Sequence, residues 1–192
     1  MLGTLLASAA VATLIGPAVL GAASADTSCQ PVSVPTVPAV RSGAEPRVDL
    51  PIPAGWHAAP LTDGVRAAVV DPAHRAGGVP PEADVVIRDD TGSRTPRAVI
   101  DDEIARLRAA ATAAPSVSRG TACGFPSAVV SYSTAAAHSV TPAQPSTSLI
   151  VAVPEGRRLY AVVVTIRTAD ASSPAYLRDS STVLGGVHVA TA

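Results

Sequence analysis

The chain has 192 residues, a formal net charge of −1 and 47% hydrophobic residues, which suits one domain with an apolar core. Its basic side chains are all arginine and are scattered along the sequence, so no basic stripe suits it to bind nucleic acid. Aromatic residues make up only 3% of the chain. We therefore expect a core of Val, Ile, Leu and Ala, with little surface for stacking bases or sugars.

The first 25 residues have the features of an export signal. They contain no charged side chain, run apolar from Leu2 to Leu20, and end in the small-x-small pattern Ala23-Ser24-Ala25. The segment is long enough to span a bilayer, which takes about 20 residues, but Gly16-Pro17 interrupts it. We therefore expect cleavage between Ala25 and Asp26 and no membrane span afterwards. Export signals usually begin with cationic residues, and none precedes the apolar run here. The true start codon could therefore lie upstream of Met1.

The two cysteines, Cys29 and Cys123, have two interpretations. Cys29 lies near the expected cleavage point, where lipid-anchored exported proteins have an acylated cysteine. However, Asp26 stands where such an anchor needs an aliphatic residue. In an oxidising compartment two cysteines favour a disulfide, and we expect the pair Cys29–Cys123 with a structural role. The lipid anchor at Cys29 remains the disfavoured alternative.

Residues 26–46 form a proline-rich N-terminal arm, and a single domain is expected over 47–192. Prolines at 31, 35, 38 and 46 block a helix in the arm and favour extended or polyproline II geometry. The domain begins with Arg47 to Trp56, whose alternation and following proline indicate an edge strand. Two β-branched strands follow between turn signals, at Val65–Val70 and Ala83–Arg88.

A first helix is predicted after Thr95-Pro96. Threonine suits the N-cap and proline suits the first helical position. The acidic run Asp101-Asp102-Glu103 is interpreted as a solvated helix face rather than a metal cluster, because consecutive helical residues point in different directions. Apolar residues recur at helical spacing until Pro115 ends the pattern: Ile100, Ile104, Leu107 and Ala111.

The second half of the chain predicts three strands, a helix and a closing strand. The polar stretch Thr134 to Ser146, rich in alanine and proline, is expected to be a long mobile loop. Arg158–Thr168 has one wholly apolar face and a half-apolar opposite face, so it is expected at the centre of the sheet. The other expected elements are strands at Ser127–Ser133, Thr147–Val153 and Val187–Val189, and a helix from Ser173-Pro174 to Leu184.

The order of these elements resembles the LpqN/LpqT family of actinobacterial exported proteins. The matching features are Leu50-Pro-Ile-Pro-Ala-Gly-Trp56, the helix after Thr95-Pro96, the turn Pro154-Glu155-Gly156 and the closing unit from Tyr176 to Val189. The resemblance implies an α+β fold, a PsbP-like α/β sandwich with a mostly antiparallel sheet and the order β-β-β-α-β-β-β-α-β. It also implies an exported or envelope-associated binding protein, and supplies no catalytic residues.

No catalytic, cofactor or metal motif is present in the sequence. There is no Gly-x-Ser-x-Gly, no His-Glu-x-x-His, no glycine-rich phosphate loop and no cysteine and histidine spacing for a metal. Trp56 is interpreted first as a core residue and second, with His57, as part of a pocket. His138 in the long loop is interpreted as exposed. These three residues are the candidate pocket or partner surface.

We therefore expect an actinobacterial protein, secreted or associated with the cell envelope, that binds without catalysis and without a cofactor. The partner is an envelope protein, a host protein or a small apolar molecule, with lipid transport as one alternative. A secreted hydrolase is the less favoured alternative. The sequence does not identify the ligand or the oligomeric state.

Overall fold

The computed structural model describes residues 33–90, 95–135 and 143–192. Two helices and ten strands follow one another along this part of the chain. In order they are β1 Thr36–Pro38, β2 Arg47–Pro51, β3 His57–Ala58, β4 Val65–Val70, β5 Glu82–Asp89, α1 Pro96–Ala110, β6 Ser116–Ala122, β7 Phe125–Thr134, β8 Gln144–Glu155, β9 Arg158–Arg167, α2 Pro174–Gly186 and β10 His188–Ala190.

The strands form two antiparallel sheets. The larger sheet has seven strands in the order β3-β4-β5-β9-β8-β7-β6, and the smaller has three in the order β1-β2-β10. The predicted α+β class and mostly antiparallel sheet are therefore confirmed. β9 is the fourth of the seven strands and thus lies at the centre of the sheet, as predicted. A central strand is covered on both faces, so it needs apolar residues on each face.

The larger sheet has a separate apolar layer on each face. Helix α1 covers one face, where Val99, Ile100 and Ile104 pack on side chains from β7, β8 and β9. The small sheet and α2 cover the other face, where Leu50 and Val183 are fully buried. The molecule thus has three layers, and the strand residues alternate between the two cores.

Four elements differ from the sequence prediction. The two-residue strand β3, at His57–Ala58, was not predicted. The arm contributes β1, which pairs with β2 from Thr36↔Pro51 to Pro38↔Asp49. β2 is therefore the middle strand of its sheet, and the prediction that it lies at an edge is wrong. Strand β6 was not predicted because its sequence, SVSRGTA, is polar and exposed, as an edge strand permits.

The interpretation of Glu103 as solvated is wrong. Its side chain is 2% exposed and lies under α1, where Arg88 Nη1 is 3.2 Å from Glu103 Oε2 and Arg106 also forms an ion pair. The two guanidinium groups neutralise the carboxylate, and both remain partly exposed. A buried carboxylate is tolerated here because it is paired and hydrogen-bonded.

Candidate functional site

A cleft of about 200 Å³ lies at the end of the seven-stranded sheet. The register places Val70, Glu82 and Arg167 side by side on β4, β5 and β9, so the connections beyond these strand ends converge. The cleft walls come from the β4–β5 connection, the β9–α2 connection, the start of α2 and the turn before β3. They include Trp56, Asp71, His74, Ser173, Tyr176 and Asp179.

Trp56 links the wall of the cleft to α2. The residue is 3% exposed and lies in the core on the small-sheet side. The indole Nε1–H donates to Asp179 Oδ2 over 3.0 Å, and the Arg178 Nε–H donates to Asp179 Oδ1 over 3.2 Å. Both carboxylate oxygens of this buried aspartate are therefore occupied. The arrangement fixes the ring against α2.

Asp71 and His74 form a carboxylate–imidazole pair in the cleft. His74 Nδ1–H donates to Asp71 Oδ2 over 2.5 Å, and the Ala73 N–H donates to Asp71 Oδ1 over 2.9 Å. The Asp71 side chain is 4% exposed and that of His74 is 57% exposed. Because Nδ1 faces the carboxylate, the other ring nitrogen, Nε2, is directed away from Asp71 and can accept a hydrogen bond.

The two ends of the β4–β5 connection are joined by a hydrogen bond from the Asp71 N–H to the Pro81 carbonyl over 3.0 Å, and the connection turns tightly at its tip. Gly77 and Gly78 have φ values of 57° and 82°, which favour glycine. Ala76 and Val79 flank them and exchange backbone hydrogen bonds of 3.1 and 3.0 Å. The connection that carries Asp71 and His74 is therefore closed by hydrogen bonds at both its base and its tip.

The start of α2 supplies two residues that line the cleft, Ser173 and Tyr176. Burial raises the pKa of Tyr176 to about 12, and a hydrogen bond with Thr147 opposes that shift only in part. Ser173 is the N-cap residue of α2, but its side chain makes no capping hydrogen bond. Asp170 accepts from the Ser172 hydroxyl and N–H, which lowers the pKa of its carboxyl.

The three candidate site residues from the sequence occupy different positions. Trp56 is both a core residue and part of the cleft wall. His57 is exposed in β3 and is not among the residues that line the cleft. His138 lies outside the described residues. Sequence reasoning missed Asp71 and His74, although Asp-Pro-x-His is a turn that brings positions i and i+3 together.

Within the described residues, no group of three or more His, Cys, Asp or Glu side chains is placed to hold a metal ion. The same part of the chain contains no helix long and apolar enough to cross a bilayer. The expected cleavage site at Ala25 and Asp26 lies outside the described residues.

Cys123 lies in the two-residue turn between β6 and β7. It has a φ of 54°, unusual for a residue other than glycine, and Gly124 follows with 79°. Cys123 is not a free thiol in the structure, and the Val189 N–H donates to its Sγ over 3.2 Å. Cys29 lies outside the described residues, so the Cys29–Cys123 disulfide remains a prediction.

The observed fold and the family match of the sequence point to the same class of protein. The architecture is an α+β protein with two antiparallel sheets, α1 outside the larger sheet, and α2 packed with the smaller one. The sequence matches the family described as probable lipoprotein LpqN over residues 30–190, so the chain belongs to this family. This confirms the family proposed from the order of elements. No protein in the set of curated proteins matches the chain.

A solved structure of the family shows the same fold. The crystal structure of LpqN from Mycobacterium tuberculosis, described as involved in cell envelope biogenesis, superimposes with a TM-score of 0.66 at 17% identity. The match covers 83% of this chain and 92% of that one. A structure from Bacteroides thetaiotaomicron matches 73% of this chain and 44% of its own, with 11% identity and a TM-score of 0.46. The relation to PsbP remains a prediction.

Proposed function

We propose that this chain is an exported binding protein of the cell envelope that uses the cleft between Trp56 and His74 to hold a partner group or ligand. Membership of a probable lipoprotein family supports the envelope location. The LpqN relative, described as involved in cell envelope biogenesis, has the same fold. The cleft supports binding because two of its wall residues, Trp56 and His74, are held by hydrogen bonds within the protein itself.

The single observation behind this proposal is the preorganised wall. Trp56 is fixed by Asp179, and His74 is fixed by Asp71, so neither side chain has to be ordered when a ligand arrives. Ordering a side chain on binding costs about 0.5 to 1.5 kcal/mol, and preorganisation removes much of that cost. A rigid cleft with an exposed hydrogen-bond acceptor at its mouth is suited to selective recognition.

The cleft supports a partner group or polar ligand better than a long apolar chain. Small-molecule pockets usually have volumes of roughly 300 to 1,000 Å³, and this cleft has about 200 Å³. Its lining includes the carboxylates Asp71, Asp170 and Asp179. Apolar chains bind poorly beside carboxylates because the charges lose water without gaining a partner. Transport of an apolar envelope molecule is therefore the weaker form of the proposal.

Two histidine variants test the proposal. Wild type, His74→Ala and His57→Ala are immobilised and exposed to an envelope extract and culture medium from the organism that produces the protein. The molecules that remain bound are identified by mass spectrometry. His57 is the control because it is an exposed histidine that does not line the cleft. We expect one set of bound molecules on wild type and His57→Ala, and its loss on His74→Ala. Equal recovery from all three would contradict binding at the cleft.

A hydrolase is the second candidate, and the Asp71–His74 pair is the observation that favours it. A histidine oriented by a buried carboxylate is the arrangement of a general base, and Ser173 lines the same cleft. The same variants distinguish the two functions. Turnover of ester, peptide or glycoside substrates that is lost in His74→Ala and retained in His57→Ala would establish catalysis. Absence of turnover in wild type would leave binding as the function.

A further inference from the structure

We propose that the cleft holds a cationic nitrogen group, an ammonium or a guanidinium, with the Asp71 carboxylate as its counter-ion. The inference rests on the proposed function, because it names the chemical class of the ligand that the cleft binds. It comes from a comparison of the buried acidic side chains of this protein. Buried charges are normally paired with an opposite charge, since an isolated charge removed from water is costly.

Asp71 differs from the other buried acidic residues in its partners. Five acidic residues are buried in the described part of the chain: Glu45, Asp71, Asp84, Glu103 and Asp179. All except Asp71 have an arginine nitrogen within 3.2 Å, and these arginines are Arg66, Arg167, Arg88 and Arg178 in the same order. The Asp71 side chain is only 4% exposed, yet its ion-pair partner is a histidine. It is therefore the buried carboxylate without a permanent counter-charge, and it lines the cleft.

The two groups bonded to Asp71 leave its charge and its acceptor positions partly unused. The Ala73 N–H, 2.9 Å from Oδ1, carries no net charge. His74, at Oδ2, is charged only when it is protonated, and its side chain is 57% exposed. A carboxylate has about four acceptor positions, so two donors leave room for further N–H groups.

Arg75 lines the same cleft but does not neutralise Asp71. Its Nε–H and Nη1–H donate to the carbonyl oxygens of Pro72 and Gly78, each over 3.4 Å. The guanidinium is therefore held on the backbone of its own connection, where the residue is exposed. These long contacts leave Arg75 as a like charge near the opening, which a cationic ligand has to tolerate.

A second carboxylate lies at the mouth of the cleft. Asp170 is exposed and lines the cleft, and its Oδ1 accepts from the N–H and the hydroxyl of Ser172, which are uncharged donors. Asp179 also lines the cleft, but its charge is balanced by Arg178. Outside that pair, the lining carries the carboxylates of Asp71 and Asp170 against one guanidinium. The excess of negative charge favours a cation.

The size and hydrogen bonding of the cleft suit a single head group. A volume of about 200 Å³ is small for a whole ligand but sufficient for the end of a chain. Asp71, Asp170 and His74 Nε2 all offer acceptors, whereas an ammonium brings three N–H donors and a guanidinium five. An anionic or apolar group would displace water from these acceptors without replacing its hydrogen bonds.

NMR titration of the mature protein with small probes tests the ligand class. Trp56 is the only tryptophan and lines the cleft, so its single indole N–H signal reports on occupancy. At constant ionic strength, n-butylammonium and methylguanidinium should shift this signal saturably. They should bind roughly tenfold or more tightly than n-butanol or butyrate, because charge-assisted hydrogen bonds are the stronger ones. Equal or tighter binding of butanol or butyrate, or no saturable shift with either cation, would overturn the ligand class.

Paired charge variants locate the effect in the cleft. Asp71→Asn should abolish cation binding, and two exposed positions test the charge without altering a buried group. Asp170→Asn should weaken cation binding by roughly two- to fivefold, and Arg75→Gln should strengthen it by a similar factor, as expected for exposed charges. Asp63→Asn and Arg157→Gln are the matched controls, because both residues are exposed and neither lines the cleft. Unchanged affinity in Asp170→Asn and Arg75→Gln would overturn the proposal.

The cation can belong to a free amine or to a basic side chain of a partner protein, and one further probe distinguishes these sources. A blocked tripeptide with lysine between two glycines should bind more tightly than n-butylammonium if the cleft recognises a side chain, and no more tightly if it recognises a free amine. The capture experiment with His74→Ala separates this inference from the proposed function. Captured molecules that contain no cationic nitrogen would refute the ligand class and leave binding at the cleft intact. Cation binding without any captured molecule would contradict the proposed function alone.

Discussion

At the residue scale, Trp56 joins two parts of the chain that are 123 positions apart. Its indole lies in the core beside α2, and its N–H is satisfied by the buried carboxylate of Asp179. Trp56 is also the only tryptophan of the chain, so its fluorescence reports on this one environment. A single side chain therefore contributes to the core, to the position of α2 and to the cleft wall.

Removing the carboxylate of Asp179 should destabilise the protein. In Asp179→Ala the buried indole N–H loses its acceptor, and leaving a buried donor unsatisfied costs about 1 to 3 kcal/mol. Asp179→Asn retains a carbonyl oxygen and should lose less. Chemical unfolding followed by Trp56 fluorescence measures both variants. Equal stability of Asp179→Ala and wild type would contradict the assigned hydrogen bond.

Tyr176 should make the protein sensitive to high pH. Burial raises the pKa of this phenol to about 12 in the folded state, above the ordinary value of 10.0. The folded state therefore holds the phenol proton more tightly. The associated stability, on the order of 2 to 3 kcal/mol, is present below pH 10 and decreases as the pH rises towards 12.

Denaturant unfolding between pH 8 and pH 12 tests this dependence in wild type and Tyr176→Phe. The phenylalanine variant should lose less stability over this range, because it has no phenol to ionise. Tyr132→Phe controls for the removal of a phenol elsewhere. Parallel curves for wild type and Tyr176→Phe would show that Tyr176 does not contribute to the alkaline loss.

At the element scale, the two helices begin with the same sequence signal but different contacts. Thr95-Pro96 and Ser173-Pro174 both place a hydroxyl residue before proline. In α1 the Ala98 N–H donates to Thr95 Oγ1 over 3.2 Å, whereas in α2 the Ser173 side chain makes no capping bond. The sequence therefore predicts where both helices begin, but not that one cap residue is left to line the cleft.

Alanine substitutions at the two caps should have different effects. Thr95→Ala removes a capping bond and should cost about 1 kcal/mol of unfolding free energy. Ser173→Ala removes no such bond and should be close to neutral. Thermal or chemical unfolding of the two variants measures the difference. An equal loss in both would contradict the capping contacts described for the two helices.

Strands with strong alternation could be predicted from the sequence, whereas weak strands could not. β4 is found where its β-branched run predicts it, at Val65–Val70, and β9 is central as its apolar faces indicate. The arm strand β1 and the edge strand β6 have little apolar content, because only one side or face of each is buried. Their pairing depends on neighbours distant in the sequence, which local patterns do not show.

At the scale of the whole molecule, the layered architecture follows from the family and the periodicity, but the cleft does not. Asp71, Ser173 and Trp56 come from three separate connections that meet only through the strand register. The pairing of Asp71 with His74 depends on a local turn that the sequence contains but does not distinguish from an ordinary loop. The fold was therefore largely predictable, whereas the site required the structure.

The predicted Cys29–Cys123 disulfide would attach the N-terminal arm to the domain. Cys123 packs beside β10, and β1 begins at Thr36 on the opposite side of the same small sheet. The seven residue-to-residue steps from Cys29 to Thr36 can span about 24 Å, which is enough to cross three strands. Non-reducing peptide mapping of exported protein should recover the linked peptides. Two free thiols in that protein would refute the pairing.

The central claim is that this is a binding protein whose site is the cleft. Native mass spectrometry of protein purified from the organism that produces it tests this claim most directly. Wild type should carry a reproducible additional mass that dissociates on denaturation. His74→Ala should be recovered without it, while His57→Ala should retain it. The account predicts this difference between two exposed histidines. An additional mass that is equally present in both variants, or absent from folded wild-type protein, would contradict it.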